Sequence, residues 1–294
     1  MRILITGGGG RLGRELQMTF ASQTVSAPDE PELDVTDGAA VGRAMEAFRP
    51  ELVIHAGAYT DTRGCENDPA RAMRVNGDGT RNVALACRRT RAALLYVSTN
   101  EVFDGAKDEP YLETDEPRAI NAYGSSKLLG EQHIRSLLQK AYIVRTSWLY
   151  GGGSDFPAKV LQVESGELRM VTDEVASPTW ARDLAEAIAR LVARGAPAGI
   201  YHLTNAGHCS RFEWAEQVLA LAGRQDVVLQ RTTHGEYKAP YRKPIFSALA
   251  NTAAAALGVV LRPWPEALAA YFAAAQVDRA GPAGRPAFGP GAPR

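Results

Sequence analysis

Ile3-Leu4-Ile5-Thr6-Gly7-Gly8-Gly9-Gly10-Arg11-Leu12-Gly13 is the stretch whose reading decides the fold. Three apolar residues run straight into four glycines, and Arg14, Glu15, Leu16 and Phe20 follow at helical spacing. That order is strand, tight turn, helix. Gly7, Gly10 and Gly13 form a G-x-x-G-x-x-G pattern. A turn of this kind brings bare backbone amides and a helix N-terminus against a pyrophosphate, where a Cβ would obstruct the approach. A flexible glycine loop without a ligand is the competing reading, and the flanking strand and helix count against it.

Working outward, a second strand over residues 24–27 ends before Asp29-Glu30, where an acidic side chain can accept hydrogen bonds from an adenosine ribose. Two carboxylates there repel a 2′-phosphate, which favours NADH over NADPH, with Arg11 and Arg14 as the cations able to compensate. Glu30 reads equally well as part of an exposed acidic loop. Asp37 is the expected N-cap of a helix over residues 38–48. Residues 52–56 form an apolar run typical of a buried parallel strand, with His55 read as a core histidine rather than a catalyst. A long helical stretch is expected over 70–91. A strand over 93–97 then ends in Ser98-Thr99, a helix carries Tyr123, and a strand spans 142–145. Such alternation implies right-handed crossovers and an α/β, Rossmann-like doubly wound parallel sheet.

The domain reading is a dinucleotide-binding unit over residues 1–150, to which later segments can return. Residues 151–275 then form a smaller, mixed lobe that mainly binds substrate. From 276 to 294 the chain is expected to be a disordered tail. Its last fifteen residues contain four glycines and four prolines and little apolar surface to offset the entropy of ordering. The acidic loop over 107–118, with two prolines, is expected to cover the site.

Tyr123-Gly124-Ser125-Ser126-Lys127 places a phenol and an ammonium one turn apart on one helix face. A phenol titrates near ~10, and a neighbouring ammonium lowers that value, so the pair can carry a proton. The same spacing also arises on solvated helix faces. Lysine plus arginine and aspartate plus glutamate balance at 33 each, so bulk charge suggests neither a nucleic-acid nor an anionic-membrane partner. Cys65, Cys87 and Cys209 show no paired spacing and read as free thiols in a reducing compartment. No apolar run approaches the roughly 20 residues of a membrane helix, and residues 2–6 are too short for a signal peptide. A cytoplasmic protein is the expectation.

Taken together, Gly57-Ala58-Tyr59-Thr60-Asp61, Ser98-Thr99, Val102-Phe103-Asp104-Gly105, the Tyr123–Lys127 motif, residues 145–150 and Ser177-Pro178-Thr179 resemble the dTDP-4-dehydrorhamnose reductases. These belong to the sugar-nucleotide-binding branch of the extended short-chain dehydrogenase/reductases. The resemblance implies an NAD(P)H-dependent enzyme that reduces the 4-keto group of a nucleotide-linked 6-deoxy sugar. It assigns Tyr123 as proton donor, Lys127 to the nicotinamide ribose and Thr99 to the carbonyl oxygen. Gly10, Arg11 and Leu12 match the pyrophosphate turn, to which the glycine spacing adds Gly7 and Gly13. Asp29, Asp34, Val35, Ala58, Tyr59, Thr60 and Val97 match further cofactor contacts, while Asn100, Glu101 and Trp148 lie beside the sugar.

The family usually reads Ser-Thr-Asp-Tyr where this chain has Ser98-Thr99-Asn100-Glu101. Glu101 resembles the acid of the related 4,6-dehydratases, so a dehydratase or epimerase is the alternative within the enzyme class. Asn100 leaves its acid-base pair incomplete. Outside that class, the fold also resembles the regulatory subunit of methionine adenosyltransferase, a non-catalytic alternative. Asp173-Glu174 in place of Asp-Gln adds a negative charge near the expected sugar nucleotide. Some relatives are dimers with magnesium. A homodimer is therefore possible here, while the sequence shows no ligand cluster for the metal.

Overall fold

The computed structural model describes residues 1–237 and 241–280. Its centre is a six-stranded parallel sheet: β1 (Arg2–Thr6), β2 (Thr24–Ser26), β3 (Leu52–His55), β4 (Ala93–Thr99), β5 (Ala141–Thr146) and β6 (Gly199–His202), in the order β6-β5-β4-β3-β1-β2. Alternate residues of each strand feed opposite faces. On one face Ile3, Ile5, Ile54, Leu95 and Val144 pack with α1 (Arg11–Thr19) through Leu12 and Leu16. On the other, Leu4, Val53, Leu94 and Ile143 meet Val41 and Met45 of α2 (Gly38–Phe48) and Val83 and Cys87 of α3 (Gly79–Thr90). Both faces are covered, which explains why these strands read as continuous apolar runs. Asp37 caps α2 by accepting from Ala39 N at 2.9 Å and Ala40 N at 3.0 Å.

Two further helices complete this layer. α4 (Ala122–Leu137) leads into β5, and α5 (Ala181–Ala193) lies beside α1, with Leu184, Ile188 and Leu191 in the same core. With β6, α5 brings the chain back from beyond residue 150 into the layer of the six-stranded sheet. The second lobe is built around α6 (Arg211–Leu221), α7 (Trp264–Ala280), the short helix Phe156–Leu161 and a parallel ribbon of Gly166–Val171 with Val227–Thr232. Trp214, Trp180, Tyr150, Leu268 and Tyr271 form its core.

Three expectations change. Residues 70–91 are not one regular helix: Pro69–Ala72 passes into a π-helical turn, Met73–Asp78, before α3. The wider turn carries Asn76 in buried surroundings and brings Gly77 so near Leu129 that a Cβ would approach its Cδ2 to 2.5 Å. The loop 107–118 does not cover the cleft at the strand ends. Tyr111 instead stacks on Phe103 at 4.1 Å between centroids, and Glu113 accepts from the backbone of His202 and Ala253. An apolar ring and an acid needing donors both find partners beside β6, which draws the loop there. Finally, α7 runs to Ala280, so the expected tail boundary at 276 falls inside a helix. Residues 281–294 of that tail lie outside the described residues.

Two histidines are buried in this frame. Thr80 Oγ1 donates to Asn76 O at 2.6 Å, so His55 Nε2–H donates to Thr80 Oγ1 at 3.0 Å, while Nδ1 accepts from Thr6 Oγ1 at 2.6 Å. Burial, with the Lys127 charge second, pushes the His55 pKa down to about 3. Burial also pushes His202 down to about 4. The unfolded chain takes up these protons near 6.5. It therefore binds more protons than the folded chain as pH falls below that value, and stability is lost across the same window. Urea-unfolding midpoints should fall as pH drops from about 6.5 towards 4, and His55→Gln should make the decline shallower. An equally steep decline in the variant would exclude His55 as a source.

Candidate active site

The sheet order reverses between β1 and β3, and doubly wound folds bind ligands where strand order reverses, outside the carboxyl ends. A cleft of about 700 Å³ opens there. Gly7, Gly10, Arg11, Leu12, Gly13, Asp29, Asp34, Val35, Ala58, Tyr59, Thr60 and Val97 line it, as do Thr99, Asn100, Glu101, Tyr123, Lys127 and Trp148. The residues assigned from the sequence to catalysis, cofactor and substrate thus line one cavity.

The glycine turn owes its composition to close backbone approaches. Gly7 has a φ of +70°, and a Cβ on it would come within 2.6 Å of Gly57 Cα, while one on Gly13 would strike the Gly7 carbonyl oxygen. Gly10 precedes α1 without a side-chain cap, so the first amides of that helix remain available to an anion. Asp29 lies against Gly9. Arg11 turns away from Asp29: its Nη1 donates to Leu149 O at 3.0 Å, and its stem packs beside Gly152.

Across the cleft, β4 delivers Thr99 and α4 delivers Tyr123 and Lys127. Asn121 caps α4 by accepting from Gly124 N at 2.8 Å, and its Nδ2 donates to Glu101 Oε2 at 2.8 Å. Gly124 lies directly against the Glu101 carbonyl oxygen, where a Cβ would clash, so the first turn of α4 sits tight on the segment after Thr99. Tyr123 and Thr99 line the cleft together, and Thr99 Oγ1 donates to Asn100 Oδ1 at 3.3 Å. Asn76 supports both sides of this arrangement. It exchanges hydrogen bonds with the Tyr59 backbone at 2.8 and 3.0 Å and donates to Ser126 Oγ at 2.9 Å, and Ser126 donates to Tyr123 O at 2.7 Å.

Burial and then the Glu101 charge push the Tyr123 phenol up, against a smaller opposite effect of Thr99, so it keeps its proton. The lowering expected from Lys127 does not prevail, because desolvation of the half-buried phenolate works against it. Burial brings Lys127 down to about 7, with Glu131 opposing. Its Nζ lies 4.2 Å from the Tyr96 ring centroid. Glu101 is raised by burial, against a weaker effect of Asn121. Asn100 spends its amide on Ser247 Oγ at 2.7 Å.

Trp148 has a φ of 39°, a conformation that costs a bulky residue of order 1–3 kcal/mol. The surroundings hold it there: its ring stacks on Trp214 at 5.4 Å, and the Arg211 guanidinium lies 3.5 Å from its centroid. Glu174 does not bring an unbalanced charge to the cleft. It pairs with Arg211 at 3.1 Å and Lys243 at 3.3 Å, which together hold its carboxyl down against burial. Sequence reading missed Asn76, Asn121, Ser247, Arg211 and Lys243. Asn121 carried a signal as an N-cap residue just ahead of the helix. The others carried none, since their partners lie tens of residues away.

The family model described as RmlD substrate binding domain matches residues 1–277. The dTDP-4-dehydrorhamnose reductase of Streptomyces griseus is 40% identical over 300 residues, covering 98% of this chain and 97% of the relative. Among solved structures, the dTDP-4-dehydrorhamnose reductase of Clostridium acetobutylicum superposes with a TM-score of 0.90 at 35% identity, over 94% of this chain and all of that one. The dTDP-4-dehydrorhamnose reductase of Bacillus anthracis, in complex with NADP, gives a TM-score of 0.89 at 35% identity, over 93% and 99% of the two chains.

Asn76→Ala should strand the Tyr59 backbone groups and the Ser126 hydroxyl, costing about 1–3 kcal/mol in urea unfolding. Unchanged stability would show that Asn76 does not carry this junction.

Proposed function

Since this chain belongs to the RmlD substrate binding domain family, we propose that it is an NAD(P)H-dependent ketoreductase. Its substrate is a dTDP-linked 4-keto-6-deoxy sugar, first dTDP-4-dehydrorhamnose. The observation that carries the reading is the meeting of Thr99, Tyr123 and Lys127 in the cleft that the glycine turn opens. The cleft suits a dinucleotide: a side chain on Gly7 or Gly13 would collide with backbone, and the first amides of α1 face a pyrophosphate unobstructed.

Bound reduced nicotinamide supplies the hydride that adds to the sugar C4. Thr99 Oγ donates a hydrogen bond to the carbonyl oxygen as negative charge builds there. Tyr123 then gives its phenolic proton to that oxygen, so a phenol whose proton is held by burial begins in the state a reductase needs. Lys127 holds the nicotinamide ribose and steadies the phenolate left behind. Trp148 packs against the sugar, and the lobe around α6 and α7 receives the nucleotide. Elimination of water would need an acid beside Glu101, and the Asn100 amide there is committed to Ser247.

Asp29 accepts from the adenosine ribose hydroxyls. Arg11 is engaged with Leu149, so it does not offset Asp29 and Glu30 against a 2′-phosphate. NADH is therefore the proposed preferred donor. Its kcat/KM should exceed that of NADPH by about tenfold, the ratio carried by ~1.4 kcal/mol, and Asp29→Asn should narrow the gap. A preference for NADPH would overturn this assignment.

Oxidation of NADH should be seen when the purified protein meets dTDP-4-dehydrorhamnose, and Tyr123→Phe should lower kcat at least ~100-fold with cofactor binding retained. A fully active Phe variant would exclude the mechanism.

A further inference from the structure

Behind the cleft lies a buried ion pair that the reaction as described does not use. Glu131 sits one turn beyond Lys127 on α4, and Arg145 is the penultimate residue of β5. Arg145 Nη2 donates to Glu131 Oε2 at 2.7 Å and Nε to Oε1 at 3.0 Å, and their side chains are 1% and 2% exposed. Ser98 Oγ, from β4, donates to the same Oε1 at 2.6 Å. Each of the three residues stands beside one that lines the cleft: Ser98 precedes Thr99, Arg145 precedes Thr146, and Glu131 follows Lys127 by one helical turn.

We propose that Glu131 is a positioning residue of the site. Anchored by Ser98 and Arg145, its carboxylate braces the three segments that carry Thr99, Lys127 and Thr146 and supplies the counter-charge to the Lys127 ammonium. The inference rests on the reductase reading above only for the consequence in turnover.

A buried ion pair of this kind is weak evidence for stability, because desolvation offsets most of the Coulomb gain. Its position next to three cleft residues therefore calls for another account. Lys127 needs one charge of opposite sign nearby. On its own helix the titratable neighbours are Tyr123, which keeps its proton, and Glu131. From β4, Tyr96 lies under the ammonium with an uncharged ring, its hydroxyl donating to Lys127 O at 3.3 Å. From β3, His55 stays neutral, pushed down to about 3 by burial first and by Lys127 itself second. From β5, Arg145 is a cation that would repel Lys127, yet both its bonds go to Glu131, and its guanidinium lies 5.0 Å from the Phe103 ring centroid. Among these groups Glu131 is the anion that bears on Lys127, while Glu101, in the same cleft, bears on Tyr123. Burial alone would strip the proton from Lys127 at neutral pH, and the Glu131 charge opposes that loss. The sign follows: removing the carboxylate lowers the pKa of Lys127, so the ammonium is lost at lower pH.

The experiment is an NMR titration of the lysine ε-carbon shifts in ¹³C-lysine-labelled protein, with Lys127→Met assigning the signal. Glu131→Gln leaves Arg145 buried and unpaired and can fail to fold. The Glu131→Gln/Arg145→Met pair removes both charges together, a replacement that buried ion pairs often tolerate. The expected result is a Lys127 midpoint about one pH unit lower, a tenfold loss of proton affinity, where Glu131→Gln folds, and a smaller fall in the double variant, which also loses the Arg145 cation that repels Lys127. The alkaline limb of kcat should move down with it. A midpoint that stays at the wild-type value in the folded double variant overturns the proposal, whatever the activity. A shifted midpoint in a protein that reduces no keto sugar would support the role of Glu131 and count against the reductase reading instead.

Discussion

At Gly7 and Gly57 the backbones of the first and third strands come so close that a single methyl group on Gly7 would not fit. That contact lies where the strand order reverses, and the cleft exists because of it. From the same place a line of buried polar groups leads inward. Gly57 N donates to Thr6 Oγ1 at 3.3 Å, Thr6 to His55, His55 to Thr80, and Thr80 to the Asn76 carbonyl. The Asn76 side chain continues to Ser126, whose hydroxyl bonds Tyr123 O. The glycine turn and the helix bearing Tyr123 are thereby held in one hydrogen-bonded frame. Such a frame is stable only if its members are satisfied, because a partner lost in a buried network leaves an unpaired polar atom at full desolvation cost.

The opposite wall is built from charge and aromatic area. Arg211 lies over Trp148 while pairing with Glu174, and Lys243 shares the same carboxylate. Phe156 and Trp148 both stack on Trp214, which is buried in the second lobe. This packing holds Trp148 in a backbone conformation that a free chain would avoid. The Trp148 end of the cleft is therefore set by the second lobe as much as by the sheet. The return of α5 and β6 into the first layer ties the two together.

Much of this was legible in the order of residues. Strand, glycine turn and helix are local events, and the alternation of apolar runs with helical spacing leaves few arrangements other than a doubly wound parallel sheet. Tyr123 and Lys127 could be named as a candidate pair from their spacing on one helix, and Thr99 through the family resemblance. The loop 107–118 was misjudged because its destination depends on the Tyr111 ring meeting Phe103 and on Glu113 meeting the amides of His202 and Ala253, contacts made from far along the chain. The π-helical turn at Met73–Asp78 escaped a helical reading because one added residue in a turn changes which side chain points inward without changing composition.

Charge showed the limit most clearly. Asp173-Glu174 looked like added negative charge at the substrate, yet Glu174 is neutralised by Arg211 and Lys243, 37 and 69 residues further along the chain. Tyr123 and Lys127 looked like a pair in which the ammonium lowers the phenol, yet enclosure dominates both and leaves the proton on the phenol. The sequence by itself determined the fold class and the turn, because those follow from short-range sterics and periodicity, and the family resemblance added the candidate reacting groups. Only the tertiary structure decided their protonation, their partners and the shape of the cleft around Trp148, because desolvation and ion pairing depend on which distant side chains the fold brings within a few ångström.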